Sequence, residues 1–192
     1  DVPARLYPVG RLDKDSEGLL LMTNDGAFAN AMMHPSGGIS KLYRVTVQPR
    51  ATEQQVLQLS SGVVLDDGTK TLPCTVNVVV DEPGRTVMEI TLKEGKNREI
   101  RRMCEAVGLE VVRLKRNAEG VVKLGMLAPG KYRELTKQEL AGRRAAAAKG
   151  RAQTRSAAAA KAARPKAVAG PVKARAKTPA AGPRSRGPKR QG

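Results

Sequence analysis

The chain has 192 residues and a formal net charge of +17, with three tyrosines, one phenylalanine and no tryptophan. Its two cysteines, Cys74 and Cys104, lie far apart and exclude a disulfide framework, which fits a reducing cytoplasm. No apolar run approaches the ~20 residues that a membrane-spanning helix needs. We therefore expect a cytoplasmic protein that does not associate with a membrane, and the positive charge indicates nucleic acid as a partner.

The charge is unevenly distributed, and this divides the chain at residue 140. Residues 1–140 contain 20 Lys/Arg against 18 Asp/Glu, whereas residues 141–192 contain 15 Lys/Arg and no acidic residue. The second region is mostly Ala, Lys, Arg, Pro and Gly, which bury too little apolar surface to offset the entropy of ordering. We expect one domain over residues 1–140 and a disordered basic tail over residues 141–192. The tail either contacts RNA through its charge or only solubilises the protein.

A polar loop over residues 10–18 precedes the first predicted strand, Leu19–Thr23. The loop contains three carboxylates, of which only Asp13 lies between an apolar residue and a cation. A short polar loop held against a buried strand positions a reactive side chain rigidly and leaves it accessible. The same pattern is typical of a solvated turn that only leads into a strand, because aspartates often form turns.

Tyr43 lies near the start of the next predicted strand, Ser40–Gln48, which alternates apolar and polar residues. A tyrosine flanked by Lys41 and Arg44 can stack on a base while the cations hold phosphates. A core tyrosine with a satisfied hydroxyl is the alternative. His34 precedes a proline that ends the helix before this strand, so we interpret the only histidine as structural and not catalytic.

Capping and alternation patterns predict the remaining elements. Thr52 and Gln55 form a capping box for a helix over residues 53–60, and Asn97 and Gly108 are suited to begin and end another helix. The further predicted strands are Thr75–Val80, Thr86–Lys93, Val111–Leu114, Val121–Leu127 and Tyr132–Leu135. They lie too close together for βαβ crossovers, so the pattern predicts an α+β fold: a largely antiparallel mixed sheet flanked by short helices.

The helix predicted after Asn97 is amphipathic and strongly basic. Its apolar residues recur at helical spacing, and Arg98, Arg101 and Arg102 lie on the other side. The positive end of the helix dipole, with Lys96 beside it, favours anions. Arg101 adjoins the apolar stripe, so its guanidinium can point inward and keep a partly buried carboxylate ionised. A solvated basic helix face is the alternative.

Three segments resemble, in order and spacing, the motifs of one enzyme family. They are Gly10-Arg11-Leu12-Asp13-x-x-Ser16-x-Gly18-Leu19-Leu20-Leu21-x-Thr23-Asn24-Asp25-Gly26, Lys41-x-Tyr43, and Glu94-Gly95-Lys96-Asn97-Arg98-x-Ile100-Arg101-Arg102-Met103. Together they resemble the RsuA/RluB/RluE/RluF family of ribosomal RNA pseudouridine synthases, over roughly residues 5–140. Glu99 departs from the family's pattern, in which glutamine is more usual at this position.

The resemblance implies a reaction and roles for three residues. Asp13 matches the catalytic aspartate, which attacks the target uridine as a nucleophile. The glycosidic bond then breaks, and the uracil turns over and is rejoined through carbon 5. Tyr43 matches the aromatic residue that stacks on the flipped-out uracil and assists proton removal from carbon 5. Arg101 matches the basic residue that pairs with the aspartate.

The resemblance also implies partners. The expected RNA-binding residues are Arg11, Lys41, Lys96, Arg98 and Arg102. The family needs no metal or organic cofactor, and we expect a monomer that acts on ribosomal RNA. Family members usually begin with a small RNA-binding domain, so we expect this chain to be an amino-terminally truncated fragment whose sheet lacks one or two strands.

The motifs specify the reaction but not the substrate RNA, because they do not describe the surface that docks the RNA. Large-subunit 23S ribosomal RNA is the favoured substrate, with small-subunit 16S RNA and transfer RNA as alternatives. A non-catalytic RNA-binding protein of ribosome assembly, in which the tail binds RNA and Asp13 has no catalytic role, is the alternative from a different class.

Overall fold

The computed structural model describes residues 4–33, 39–142 and 145. His34 and residues 146–192 lie outside the described residues, so the predictions for this histidine and for the tail stay predictions. None of the helices in the described part of the chain is both long and apolar enough to cross a membrane.

Short strands and helices alternate along the described chain. Their order is β1 (Tyr7–Val9), β2 (Glu17–Gly18), β3 (Leu21–Thr23), α1 (Gly26–Met33), β4 (Lys41–Gln48), α2 (Glu53–Ser61), β5 (Thr75–Glu82), β6 (Arg85–Leu92), α3 (Glu99–Ala106), β7 (Glu110–Glu119) and β8 (Val122–Lys123). Residues 137–142 are also helical.

A six-stranded sheet forms the centre of the fold. Its order is β2–β7–β4–β6–β5, and β8 also pairs with β7. All of these pairs are antiparallel except β2 with β7, which are parallel. A second sheet contains only β1 and β3, in antiparallel register. The predicted α+β class with a largely antiparallel mixed sheet and short helices is confirmed.

Two separate apolar clusters form the interior of the described residues. The larger cluster joins the inner faces of β4, β6 and β7 to α2 and α3, with Val45, Met88 and Met103 fully buried. The smaller cluster is built around Val9 and Leu21, with contributions from α1 and β8. Alternation along β4 places Val45 and Val47 on the buried face, as its sequence predicted.

Local signals located several elements correctly. Thr52 and Gln55 form the predicted capping box at the start of α2, where the hydroxyl accepts from the Gln55 amide and the Gln55 side chain accepts from the Thr52 amide. The strands predicted over Thr75–Val80 and Thr86–Lys93 are β5 and β6, which form an antiparallel hairpin around a turn at Pro83-Gly84. Asp25 caps α1 through a 2.9 Å hydrogen bond from the Phe28 amide to its carboxylate.

Four local predictions were wrong. The strand predicted over Val121–Leu127 is confined to β8, Val122–Lys123. The strand predicted to end at Leu114 continues to Glu119, because β7 pairs along this length with β4 and β8. Asn97 does not cap α3. The N-cap residue is Arg98, with a left-handed φ of 47° and no side-chain cap. Residues 132–135 form no strand, although Leu135 packs against the smaller cluster.

Candidate active site

A cleft of about 750 Å³ lies between the two apolar clusters. Its lining contains Val9 and Ile39 from the smaller cluster and Ile100 and Leu114 from the larger one. The polar loop between β1 and β2 forms one wall, and β4, β7 and the start of α3 contribute to the other. The cleft is therefore bounded by side chains that two independently packed regions hold in place.

Asp13 lies on the loop wall of this cleft and is half-buried. Val9 and Leu19, on either side of the loop, are both buried in the smaller cluster. Within the loop, the Ser16 amide donates a 2.9 Å hydrogen bond to the Asp13 carbonyl. The Asp13 carboxylate forms no hydrogen bond or ion pair within the described part of the chain. The backbone is thus held firmly while the carboxylate remains available to a ligand.

Tyr43 reaches the same cleft from β4. Its register partner on β7 is Arg116, and the Arg116 guanidinium interacts with the tyrosine hydroxyl. Burial raises the pKa of Tyr43, because the phenolate loses solvation, although the charge and hydrogen bond of Arg116 oppose this shift. The ring therefore lines the cleft as a neutral aromatic surface at physiological pH.

Arg116 is a buried cation with 3% of its surface exposed, and it also lines the cleft. Its Nε donates to the Leu19 carbonyl at 2.8 Å, and its Nη1 donates to the Arg11 carbonyl at 3.3 Å. Nη2 lies 4.0 Å from the buried carboxylate of Glu119. One guanidinium thus connects β7 to both sides of the loop that carries Asp13.

The Ser16 hydroxyl in the cleft lining is buried and has no hydrogen-bond partner among the described residues. Glu99 also lines the cleft and is 4% exposed. Its Oε2 accepts a 2.9 Å hydrogen bond from the Lys96 amide, and its carboxyl group is hydrogen-bonded to that of Glu94. Buried polar groups are nearly always paired, so the unpaired Ser16 hydroxyl indicates a polar ligand in the cleft.

Comparison with known proteins identifies the family. Residues 1–106 match the family described as RNA pseudouridylate synthase. The chain belongs to this family. This assignment confirms the resemblance drawn from the three sequence motifs.

Relatives in the synthase family are similar to this chain over most of its described length. The ribosomal large subunit pseudouridine synthase B of Bacillus subtilis is 42% identical over 153 residues, which cover 79% of this chain and 62% of that protein. The dual-specificity RNA pseudouridine synthase RluF of Escherichia coli is 41% identical over 136 residues, covering 71% and 45%. A crystal structure of a pseudouridylate synthase matches with a TM-score of 0.69 at 31% identity, over 74% of this chain and 62% of that one.

The chain spans about half the length of the curated relatives it matches, 56% for two of them. Those two are an RNA pseudouridine synthase of Aquifex aeolicus and YtzG of Bacillus subtilis, each 43% identical to this chain.

Arg101 is not among the residues that line the cleft. Its Nη1 donates to the Val111 carbonyl at 3.0 Å and its Nη2 to the Asp15 carbonyl at 2.6 Å. Among the described residues, its predicted ion pair with Asp13 is not formed. Arg101, on α3, instead links the loop to β7, because it binds the loop at Asp15, two residues beyond Asp13, and β7 at Val111. Its catalytic role stays a prediction.

Four of the five cations predicted to bind RNA lie around the cleft: Arg11, Lys41, Lys96 and Arg98. Lys96 pairs with Glu94 at 2.7 Å, and Arg98 lies 3.5 Å from Asp15. Arg102 is elsewhere, because its guanidinium binds Asp66 and Asp67 on the turn after α2. The position of Arg102 indicates a structural contact at this turn, and RNA binding by all five stays a prediction.

Sequence reasoning missed Arg116 as a residue of the site. Leu114, Arg116 and Ala118 alternate along one buried face of β7, so a cation at an inward position was the signal available. That signal was lost when the strand was predicted to end at Leu114. The burial of Glu99 had no local signal, because a glutamate at the start of a helix is normally exposed.

Proposed function

We propose that this chain is the catalytic part of an enzyme that isomerises a uridine in RNA to pseudouridine. The observation that carries the proposal is that Asp13 and Tyr43 line one cleft in a chain of the RNA pseudouridylate synthase family. A nucleophile and an aromatic surface in the same cleft suit a single flipped-out base bound there.

Asp13 is the nucleophile of the proposed reaction. Its carboxylate attacks C1′ of the target uridine as the bond from C1′ to N1 of uracil breaks. The freed uracil turns over, and its carbon 5 then displaces the carboxylate from C1′. The proton on carbon 5 is lost and N1 gains one, so the enzyme is regenerated. A nucleophile must be unencumbered and held in place. The Asp13 carboxylate has no partner in the part of the chain that the structure describes, which meets the first condition, and the buried anchors of its loop, Val9 and Leu19, meet the second.

Tyr43 supports the base once it has left its stack. Unstacking costs a few kcal/mol, and stacking on an aromatic ring returns about 1–3 kcal/mol. The hydroxyl interacts with Arg116, which fixes the side chain in the cleft. Since Arg116 also binds the Arg11 carbonyl, it sets the position of the ring relative to the nucleophile loop.

The cations around the cleft bind the RNA backbone in this proposal. Arg11, Lys41, Lys96 and Arg98 line the same cleft as Asp13 and suit phosphate contacts that orient the strand without reading its sequence. We further propose large-subunit ribosomal RNA as the substrate. The similarity to the large subunit pseudouridine synthase B of Bacillus subtilis supports this choice.

Tritium release from 5-tritiated uridine tests the proposal. The full chain is incubated with 23S or 16S ribosomal RNA carrying this label. We expect release from 23S RNA, and a loss of roughly 10³-fold or more in the variant Asp13→Asn, because the amide is not nucleophilic.

Asp25→Asn is the matched control for this substitution. Asp25 caps α1 outside the cleft, and asparagine caps a helix as well as aspartate does. Its rate is therefore expected to equal that of the wild type. Undiminished release by Asp13→Asn refutes the mechanism, whereas release only from 16S RNA refutes the substrate and leaves the chemistry intact.

A further inference from the structure

The loop wall of the cleft contains a buried hydroxyl group, that of Ser16. Ser16 lines the cleft, and its Oγ is buried with no hydrogen-bond partner among the described residues. A serine hydroxyl both donates and accepts hydrogen bonds, and its hydrogen rotates to suit the partner. Because folding has already removed water from this group, a hydrogen bond to a ligand gains free energy without a further desolvation cost.

The position of Ser16 is fixed next to Asp13. Ser16 ends the tight turn that begins at Asp13, since its amide donates a 2.9 Å hydrogen bond to the Asp13 carbonyl. Such a turn brings the two α-carbons to within about 7 Å of each other. On the other side, β2 follows directly and pairs with β7, and Arg101 holds the Asp15 carbonyl at 2.6 Å. The hydroxyl is therefore preorganised beside the nucleophile.

The proposed reaction determines which part of a bound nucleotide faces Ser16. Asp13 attacks C1′, so the ribose of the target uridine lies against the loop wall. Tyr43 lies on β4 and supports the base. On the carbon next to C1′, the ribose carries its 2′-hydroxyl, which can donate and accept like the serine hydroxyl. This group allows a protein to distinguish RNA from DNA at a given position.

We propose that the Ser16 hydroxyl forms a hydrogen bond with the ribose 2′-hydroxyl of the target uridine and so selects a ribonucleotide over a deoxyribonucleotide. This inference rests on the proposed function. The cations that line the cleft suit phosphates, which RNA and DNA share, and stacking on Tyr43 serves a base on either sugar. Ser16 supplies a contact that depends on the sugar. The same bond holds the ribose with C1′ toward Asp13.

A double-mutant cycle between the side chain and the ribose tests the proposal. The Asp13→Asn chain, which should bind RNA without converting it, is titrated by fluorescence anisotropy with a fragment of 23S RNA. The uridines of the fragment are all ribonucleotides in one sample and all 2′-deoxyribonucleotides in the other. Adding Ser16→Ala should reduce the ratio of the two Kd values by about fivefold or more, the worth of one hydrogen bond. Effects of the sugar change on the RNA itself cancel in this comparison.

A ratio that Ser16→Ala leaves unchanged overturns the proposal. This includes equal weakening of both RNAs, because the hydroxyl would then bind a group that both sugars leave in place, such as a base carbonyl. Ser61→Ala is the matched control. The Ser61 hydroxyl is exposed on α2, donates to the Leu57 carbonyl at 2.8 Å and lies outside the cleft. Its removal should leave the ratio as it is.

The stability of the free chain provides a second test. Ser16→Ala removes a buried oxygen that has no partner among the described residues, so the midpoint of urea unfolding should stay the same or rise. A lowered midpoint at constant slope overturns the proposal, because the hydroxyl would then be engaged within the protein and not available to the ribose.

The binding ratio also separates this inference from the proposed function. If the wild type forms no pseudouridine but the ratio depends on Ser16, the proposed reaction fails and the recognition of the ribose stands. If pseudouridine forms and the ratio does not depend on Ser16, the reaction stands and the recognition fails.

Discussion

Replacing Arg116 by methionine removes the guanidinium that connects β7 to the loop carrying Asp13. The carbonyls of Leu19 and Arg11 lose their donor, and the buried carboxylate of Glu119 loses the cation 4.0 Å away. Breaking a buried charged interaction of this kind costs about 3–5 kcal/mol, because the remaining groups stay desolvated. That is a large fraction of the ~5–15 kcal/mol by which domains are stable.

Urea unfolding followed by circular dichroism measures this loss as a shift in midpoint at constant slope. Arg113→Met is the control on the same strand: its guanidinium is exposed and pairs with exposed Glu17 at 2.6 Å. Such a surface pair contributes below about 1 kcal/mol. The loss of unfolding free energy for Arg116→Lys should lie between those of the two methionine variants, since one ammonium keeps the charge but does not reproduce the forked contacts. Equal losses for Arg116→Met and Arg113→Met would refute the reasoning.

Three further predictions concern stability. Gly18→Ala should cost at least about 2 kcal/mol by urea unfolding, because φ is +112° and the added methyl would collide with the Arg116 carbonyl; a loss below 0.5 kcal/mol (on the order of surface substitutions) would contradict it. Thr52→Ala should cost about 1 kcal/mol through the lost cap, and Gln55→Ala at least as much, since it removes both the bond from the Thr52 amide and the 2.8 Å bond that its Nε2 donates to the Val107 carbonyl. Glu99 binds its proton more tightly in the folded chain, so its contribution to stability is complete below pH ~4.5 and declines as pH rises through about 7. The unfolding free energy of Glu99→Gln should lack this decline with pH. The same pH dependence in the variant and the wild type would contradict the raised pKa of Glu99.

Elements specified by neighbouring residues were predictable from the sequence. The capping box of α2 depends on Thr52 and Gln55, which are three residues apart, and the β5–β6 hairpin depends on alternation on both sides of one turn. The fold class followed because closely spaced strands pair antiparallel.

Features that depend on distant contacts were not predictable in the same way. The hydrogen bond from Arg116 to Leu19 joins residues 97 positions apart, and no local pattern specifies it. The motifs drew attention to Arg101 instead, whose guanidinium reaches backbone carbonyls. The observed start of α3 differs from the predicted one because Arg98 adopts a left-handed conformation. The N-cap is therefore Arg98, one residue beyond the predicted cap Asn97.

The cleft lies at a boundary between two interiors that do not share side chains. The loop that carries Asp13 is anchored in the smaller interior by Val9 and Leu19, and Tyr43 packs against the larger one. Arg116 bridges the two, because it lies on β7 and donates to the Leu19 and Arg11 carbonyls. A volume change at a remote apolar position, such as Leu21 or Met103, is therefore transmitted to the spacing of Asp13 and Tyr43 through this one guanidinium.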